Sequence, residues 1–479
     1  MVATNTHFSY SPLDTSQRQF RLVRLLPGGS ENKVKAELAS FSLDAEVSYI
    51  ALSYRWGAPT PLYKIQLNGQ PFDIQPNLHE FLQYVRVDKS TDWYFIDAIC
   101  INQNDAAERS SQVRLMGKVY SSAHSVTAWL SDATDRKFRR RMDTFIDTYG
   151  TDEKIQASRE AFENEIVAIV WSCIYWTRLW IIQELVLAKR IVVQLEHYRL
   201  TWVALVSGMR SFFAREVGDP TLWMTNEWYP LSNSNRNARV MLGIMEIRRQ
   251  RAAVLLPHAM IMFGQQGSAV LHDKAFALLG IAISSMQVDY DAPISQIYIR
   301  VLIEGIRQIE IQARQPYTAT DMLRKVVWMS VISATTAFGW TTSNETVCLI
   351  VQEVTSRDDL RVIRSLGFGA SAVSRWKYPK GLGFVYDAMD QLARTPWYSD
   401  YIDKKLQRKL ERLSEQSERM HLPGCVDDAR TVAEWIALID GVRRQVETDV
   451  ASPGYAAKVR SALVLNDNHS ALVEPDKVE

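Results

Sequence analysis

A glutamate between two large apolar side chains is the most unusual chemical feature of this 479-residue sequence. Trp180, Glu184 and Leu187 are spaced i, i+4 and i+7, so they share one face of a predicted helix. A carboxyl group bracketed in this way loses water, which raises its pKa and makes it a candidate for a functional site. The alternative interpretation is a glutamate that pairs with Arg178 or Arg190 for stability.

A second group of candidate residues follows predicted strands. Tyr54, Arg55 and Trp56 come at the end of one buried strand, and Asp97 ends another. In an open α/β sheet, ligands bind beyond the carboxyl ends of the strands, where the strand order reverses. An arginine there suits a phosphate group, and a tryptophan offers an aromatic face. The alternatives are that Arg55 and Trp56 pack around a tight turn, and that Asp97 caps the following loop.

Strands alternate with helices around these residues. Apolar runs predict four buried strands. They are Tyr49–Tyr54, Trp93–Ala98, Ser125–Leu130 and Arg190–Leu195. Asp105 and Glu108 have the spacing of a capping box, which predicts a helix start between the second and third strands. The order strand, helix, strand, helix, strand, helix, strand predicts an α/β fold with one parallel sheet and helices on both faces.

Two shorter patterns extend this sheet. Phe20–Leu26 alternates enough to be an edge strand. Ile65–Leu67 and Pro71–Ile74 flank Asn68-Gly69, and this dipeptide favours the type I′ turn of a hairpin.

Three ordered blocks of the sequence resemble the fungal heterokaryon-incompatibility (HET) domain. They are YIALSYRWG at Tyr49–Gly57, IDAICINQ at Ile96–Gln103 followed by ERSSQVRLM at Glu108–Met116, and RLWIIQELVLA at Arg178–Ala188. The resemblance covers roughly residues 20–200. A weaker echo, HDKAFALLG at His272–Gly280 with VDY at Val288–Tyr290, resembles the element that often follows the domain. At position 272 the family usually has arginine.

The resemblance implies both a fold and an activity. HET domains are similar to Toll/interleukin-1 receptor (TIR) domains, which have a flavodoxin-like sheet. ALSY at Ala51–Tyr54 matches the first TIR strand, and WIIQE at Trp180–Glu184 matches a TIR segment that ends in glutamate. In many TIR domains this glutamate cleaves NAD, so the resemblance implies a catalytic Glu184. The implied substrate-binding residues are Tyr54, Arg55, Trp56, Asp97 and Trp180.

The implied reaction places modest demands on the protein. Breaking the bond between nicotinamide and ribose expels a neutral leaving group, so no general acid is required. A carboxylate near the cationic sugar would help, as in glycoside hydrolysis, and Trp180 or Trp56 would offer a face for nicotinamide. NAD would be the substrate. No cofactor is expected, and no metal, because no His, Cys and Asp residues have metal-ligand spacing.

Composition limits the partners and the compartment. A net charge of +1 gives no general attraction to nucleic acid or membrane. The four cysteines are scattered without CxxC pairs, which indicates a reducing compartment. The spacing of Cys100 and His124 does not favour a nucleophilic pair. The N-terminus has neither a basic start nor an apolar core, so we expect a cytoplasmic protein.

The predicted organisation has four parts. We expect a flexible N-terminus at 1–18, a HET (TIR-like) α/β domain at 19–204 with an insertion at 131–165, a mostly helical companion domain at 205–465, and a flexible C-terminus at 466–479.

Three functions remain open. The first is an effector in fungal self/non-self recognition or cell death that acts by NAD glycohydrolysis. The second is a non-catalytic interaction module whose surfaces assemble protomers into a homo-oligomer. The third is a metabolic enzyme that uses the HET scaffold on a small organic substrate.

Overall fold

The computed structural model of the protein describes most of the chain. The described residues are 8–27, 34–87, 91–131, 136–149, 151, 159–196, 198–208, 233–313, 331, 334–335, 337–340, 344–354, 408, 412, 419–423, 425 and 428–462. The chain forms two compact units, the first made of Met1–Gly218 with Asn233–Met245 and the second of Asp219–Ser232 with Glu246–Glu479. The predicted C-terminal segment 466–479 lies outside the described residues.

The first unit is built on a nine-stranded mixed sheet. Its strands are β1 (Gln19–Leu25), β2 (Lys35–Ser42), β3 (Tyr49–Tyr54), β4 (Tyr63–Leu67), β5 (Gln70–Ile74), β6 (Trp93–Phe95), β7 (Ser125–Trp129), β8 (Ile191–Leu195) and β9 (Tyr198–Thr201). They lie in the order β5-β4-β2-β1-β6-β3-β7-β8-β9. Helices accompany the sheet, so the protein has a mixed α/β fold.

The described helices are numbered along the whole chain. They are α1 (Pro76–Val87), α2 (Asp97–Cys100), α3 (Ala106–Ser122), α4 (Arg136–Tyr149), α5 (Arg159–Ser172), α6 (Ile181–Val186), α7 (Asn233–Gln250), α8 (Leu256–Phe263), α9 (Asp273–Phe276), α10 (Ile294–Ala313), α11 (Glu345–Val354), α12 (Val432–Asp449) and α13 (Pro453–Arg460). A 3-10 turn at Ile174–Thr177 precedes α6. The expected insertion at 131–165 contains α4 and the beginning of α5.

The four strands that were predicted to form a parallel sheet lie side by side as β6-β3-β7-β8. Every neighbouring pair among them is parallel. Ile50 of β3 is in register with Tyr94 of β6 on one side and with Ser125 of β7 on the other. The prediction of one parallel arrangement for these segments is confirmed.

Helices cover both faces of these strands. On one face, the indole of Trp129 on β7 lies 5.5 Å from the ring of Phe81 on α1. Tyr54 of β3 is the registered neighbour of Trp129 and therefore shares this face. Tyr49 points the other way, because side chains alternate along a strand. Its hydroxyl donates a hydrogen bond to the carbonyl of Val119 on α3. The predicted burial on both faces is thus provided by α1 on one side and α3 on the other.

The predicted strand Trp93–Ala98 is longer than the observed one. β6 ends at Phe95, and the amide of Cys100 donates to the carbonyl of Ile96 at 2.7 Å as α2 begins. An apolar run cannot by itself distinguish a buried strand from a short buried helix. Asp97 in the first turn favours the helix, because its negative charge complements the helix dipole.

The prediction of an edge strand at Phe20–Leu26 is wrong in its position. β1 lies inside the sheet, antiparallel to both β2 and β6. β2 (KAELASFS) was not predicted, because it lacks the β-branched residues that mark a strand. The predicted hairpin is confirmed as β4 and β5, where Asn68 and Gly69 have φ angles of 49° and 79°, as a type I′ turn requires.

The second unit is mostly helical in its described part. α10 packs against α8, α11, α12 and α13. Two short strand pairs accompany these helices, β10 (Val254–Leu255) with β11 (Ala282–Ile283), and β12 (Met420–His421) with β13 (Ala429–Arg430). Among the described residues of the whole chain, no helix combines the length and apolar character needed to cross a membrane.

Candidate functional site

Glu184 on α6 is bound at the carboxyl end of β3. Ser53, the next-to-last residue of β3, donates a hydrogen bond from Oγ to Glu184 Oε2. The same Oγ lies 2.5 Å from the hydroxyl of Tyr175, in the 3-10 turn before α6. Glu184 is 1% exposed, and Ser53 and Tyr175 are buried as well. Polar groups from three separate elements therefore form one hydrogen-bonded chain that is shielded from water.

Burial dominates the electrostatics of Glu184. The loss of water raises its pKa from 4.5 to about 7, although the charge of Arg178 and the hydrogen bond from Ser53 both act to lower it. The neighbouring Asp97 acts in the upward direction. A carboxyl group with such a pKa is present in both protonation states near neutral pH, which is typical of functional acids and bases.

Arg178 is the cation that interacts with both carboxyl groups of this region. Its guanidinium donates a hydrogen bond to the carbonyl of Tyr54, at the end of β3. Burial alone would lower the pKa of Arg178, but the charges of Glu184 and Asp97 outweigh it and raise that pKa above its usual value. Arg178 therefore stays charged and partly balances the two acids.

In the structure, the residues considered for a stabilising ion pair, Glu184, Arg178 and Arg190, have other hydrogen-bond partners. Glu184 accepts from Ser53, whereas Arg178 donates to Tyr54. Arg190 donates to the carbonyl of His124 at 3.5 Å. In this described part of the chain, no direct ion pair joins Glu184 to either arginine.

Trp56 and Asp97 meet at the ends of adjacent parallel strands. The indole Nε1 of Trp56 donates to Asp97 Oδ2 at 2.9 Å, and the amide of Ala98 donates to Asp97 Oδ1 at 2.8 Å. Burial raises the pKa of Asp97, while Arg178 and these two hydrogen bonds oppose that rise. Asp97 is therefore a satisfied carboxyl group that joins the turn after β3 to the start of α2.

The remaining predicted site residues lie around this cluster. Tyr54 is buried, and its pKa is raised well above 10, first by burial and then by the charge of Asp97. The carbonyl of Arg55 accepts a hydrogen bond from the side-chain amide of Asn77 on α1. Trp180 immediately precedes α6, and its carbonyl accepts from the amide of Glu184 at 3.3 Å. The structure thus couples Tyr54, Asp97 and Glu184 electrostatically, and holds Arg55 and Trp180 at the neighbouring chain turns.

Three members of the cluster were missed as site residues by the sequence analysis. They are Ser53, Tyr175 and Arg178. Ser53 did carry a signal, because a hydroxyl inside a fully buried strand must find a hydrogen-bond partner. Tyr175 lies within an apolar run and carried no comparable signal.

The surroundings of Cys100 and His124 do not favour a nucleophilic pair. Cys100 is buried, and its Sγ accepts from the amide of Ile96 at 3.3 Å. Burial raises the pKa of Cys100 to about 12, and His124 is exposed. Within the described residues, no group of three or more His, Cys, Asp or Glu side chains is arranged to hold a metal ion.

The HDK and VDY echo forms a local clamp in the second unit. The hydroxyl of Tyr290 donates to Asp273 Oδ1 at 2.7 Å. Lys274 donates to the carbonyls of Gly264 and Gln266, just after α8. His272 Nε2 lies 2.8 Å from the carbonyl of Ala292. These contacts join the start of α9 to the chain after α8 and to the loop before α10.

The fold and the cluster define a class, an α/β domain with a buried carboxyl group at the carboxyl end of a parallel strand. Residues 49–184, which contain the whole cluster, match the family model described as heterokaryon incompatibility protein (HET). Over these residues the chain is therefore similar to the HET family.

One relative is similar to part of this chain. It is heterokaryon incompatibility protein 6, OR allele, of Neurospora crassa, with 40% identity over 103 aligned positions. The alignment covers 18% of this chain and 15% of the relative. No solved structure matches the chain.

Proposed function

We propose that this protein acts in fungal heterokaryon incompatibility, through the segment that matches the HET family. The family match and the similarity to the Neurospora protein support this role. The proposal includes self/non-self recognition that leads to cell death, as an effector located in the cytoplasm.

The proposed fold relationship is to the flavodoxin-like sheet of TIR domains. The parallel strands lie in the order β6-β3-β7-β8, which is second, first, third and fourth along the chain. A flavodoxin-like sheet begins with this order, and its ligand site lies where the order reverses. Here the reversal falls between β3 and β7, so the carboxyl end of β3 is the expected location of a ligand.

The proposed reaction is hydrolysis of NAD, with Glu184 as the catalytic carboxylate. The bond between nicotinamide and ribose breaks, Glu184 stabilises the cationic sugar, and water adds to the same carbon. The products are nicotinamide, ADP-ribose and a proton. The observation that carries this proposal is a buried carboxyl group with a pKa of about 7 at the end of β3. The proposed substrate-binding residues are Tyr54, Arg55, Trp56, Asp97 and Trp180.

A second candidate function is a non-catalytic interaction module. The observation that favours it is the burial of Glu184, which is 1% exposed. A ribose can touch this carboxylate only after the surrounding residues move. In the module, the hydrogen bonds of Glu184 hold α6 on β3, and the surfaces of the domain assemble protomers.

Nicotinamide release from NAD distinguishes these functions. The full chain is incubated with NAD over a wide range of protein concentrations, so that an activity that requires assembly of protomers is also detected. We expect release by the wild type and a loss of about 10²-fold or more in Glu184→Gln, which keeps the shape but removes the charge.

Glu37→Gln is the matched control. Glu37 lies in the same unit but pairs with Arg24 in an exposed position instead of joining the cluster. Its substitution should leave the rate per folded molecule unchanged. A wild type that releases no nicotinamide at any concentration would contradict the NAD reaction and favour the interaction module.

A further inference from the structure

The hydrogen-bonded chain at Glu184 has a defined direction. An ionised Glu184 can only accept, so Ser53, whose hydroxyl carries one proton, donates that proton to it. The contact of 2.5 Å between Ser53 Oγ and the hydroxyl of Tyr175 must then use the proton of the tyrosine. The pKa of Tyr175 is raised well above its ordinary value of 10, first by burial and then by the charge of Glu184, so this hydroxyl stays protonated and remains a donor. Tyr175 donates to Ser53, and Ser53 donates to Glu184.

Other charged and titratable groups also face this carboxyl group. They are Arg178, just before α6, Asp97 at the start of α2, Tyr54 on β3 and Tyr120 on α3. Of these, Tyr120 donates its proton to the backbone carbonyl of Leu52 at 3.1 Å. Arg178 is committed to the carbonyl of Tyr54. The hydrogen bond that the described structure gives to the Glu184 carboxylate comes from Ser53.

We propose that Ser53 and Tyr175 are positioning residues for Glu184. Ser53 orients the carboxylate at the carboxyl end of β3, and Tyr175 orients the Ser53 hydroxyl so that its proton points to Glu184. The two residues thereby stabilise the ionised form of the carboxyl group against the cost of burial. This inference rests on the proposed function in assigning a catalytic use to that carboxylate, but the positioning itself is measurable without a substrate.

An infrared titration tests the positioning directly. The carboxylic-acid band that disappears in Glu184→Gln identifies Glu184, and its pH midpoint is followed in each variant. Ser53→Ala removes the donor to the carboxylate, so we expect the midpoint to rise by about one pKa unit or more. Tyr175→Phe leaves Ser53 in place but free to rotate, so we expect a smaller rise.

Tyr120→Phe is the matched control for Tyr175→Phe. Both substitutions remove one buried tyrosine hydroxyl near β3, but Tyr120 does not belong to the hydrogen-bonded chain of Tyr175, Ser53 and Glu184. We expect Tyr120→Phe to leave the Glu184 midpoint unchanged. Equal midpoints in Tyr175→Phe and Tyr120→Phe, or an unchanged midpoint in Ser53→Ala, would overturn the proposal. Should Ser53→Ala fail to fold, the comparison of the two tyrosine variants decides the matter alone.

The pH profile of nicotinamide release separates this inference from the proposed function. If the ionised carboxylate is the active form, the rate rises as the pH passes its pKa, and this limb moves to higher pH in Ser53→Ala and Tyr175→Phe. A substitution that merely loosens the fold lowers the rate without moving the limb. Shifted infrared midpoints without any nicotinamide release would refute the NAD reaction alone. Release with an unmoved limb and unmoved midpoints would refute the positioning alone.

Discussion

Arg21 on β1 and Glu108 on α3 form an ion pair with two parallel hydrogen bonds of 2.7 and 3.0 Å. Their side chains are 2% and 9% exposed. Arg21 also donates to the carbonyls of Cys100 and Ser11. The pair therefore joins the N-terminal residues, the interior of the sheet, α2 and α3.

Removal of Arg21 should strongly destabilise the first unit. Arg21→Ala leaves Glu108 largely buried without its cation, and breaking a buried pair costs about 3–5 kcal/mol. Arg24→Ala is the control, because Arg24 lies on the same strand but pairs with Glu37 in an exposed position. The control should cost less than about 1 kcal/mol. The measurement is urea unfolding followed by tryptophan fluorescence, and equal losses in the two variants would contradict the prediction.

Glu184 should make the free energy of unfolding depend on pH. Its pKa is raised from 4.5 to about 7 on folding, so the folded state binds more protons between these values. Its contribution to stability is therefore complete below pH 4.5 and is lost as the pH rises through about 7. The shift corresponds to about 3 kcal/mol.

Glu184→Gln removes this dependence. Relative to the wild type, the variant should gain stability between pH 5 and pH 8, by up to about 3 kcal/mol. Urea unfolding of both proteins at several pH values measures the difference, in which the other titrating groups largely cancel. A difference that is constant with pH would show that the folded state does not raise the pKa of Glu184.

Tyr455 should stabilise the second unit through a buried carboxylate. Its hydroxyl on α13 donates to Glu304 Oε1 on α10 at 2.8 Å, and Glu304 is 0% exposed. Tyr455→Phe leaves a buried acceptor with one bond fewer, which costs about 1–3 kcal/mol. Tyr63→Phe, at an exposed tyrosine, should change stability by less than about 0.5 kcal/mol. Equal unfolding midpoints in the two variants would contradict a stabilising role of the hydrogen bond from Tyr455 to Glu304.

The free thiols should differ in their reactivity in the native protein. Cys100 is buried with its pKa raised to about 12 by loss of water, so it should resist a thiol reagent at pH 8. Cys425 is half-buried and should react earlier. Release of the coloured product from an aromatic disulfide reagent measures both. Cys425→Ser should remove part of the early reaction and Cys100→Ser none of it, and the opposite result would place Cys100 in contact with solvent.

Short-range patterns predicted much of the fold. The hairpin at Asn68-Gly69 and the start of α3 after Asp105 depend on neighbours in sequence, and both are observed. Asp105 Oδ1 accepts from the amide of Glu108 at 3.0 Å, as predicted. The carboxylate of Glu108 does not bind the amide of Asp105, as in a complete capping box, but pairs with Arg21. A buried guanidinium without a counter-charge would be strongly destabilising. The interior position of β1 was missed for a related reason, because its neighbour β6 is distant in sequence and the pairing depends on the tertiary structure.

By itself, the sequence determined the parallel strands and the helix that carries Glu184. These features follow from periodicity, which is a local property of the chain. Only the tertiary structure decided that Ser53 and Tyr175 hold Glu184 and that Arg178 donates to the carbonyl of Tyr54. Ser53 and Glu184 lie 131 positions apart, so their contact depends on the order of strands in the sheet and on how closely α6 packs against it. The pKa of Glu184 follows from the same packing, because it is the sum of lost water and charges contributed by several separate elements.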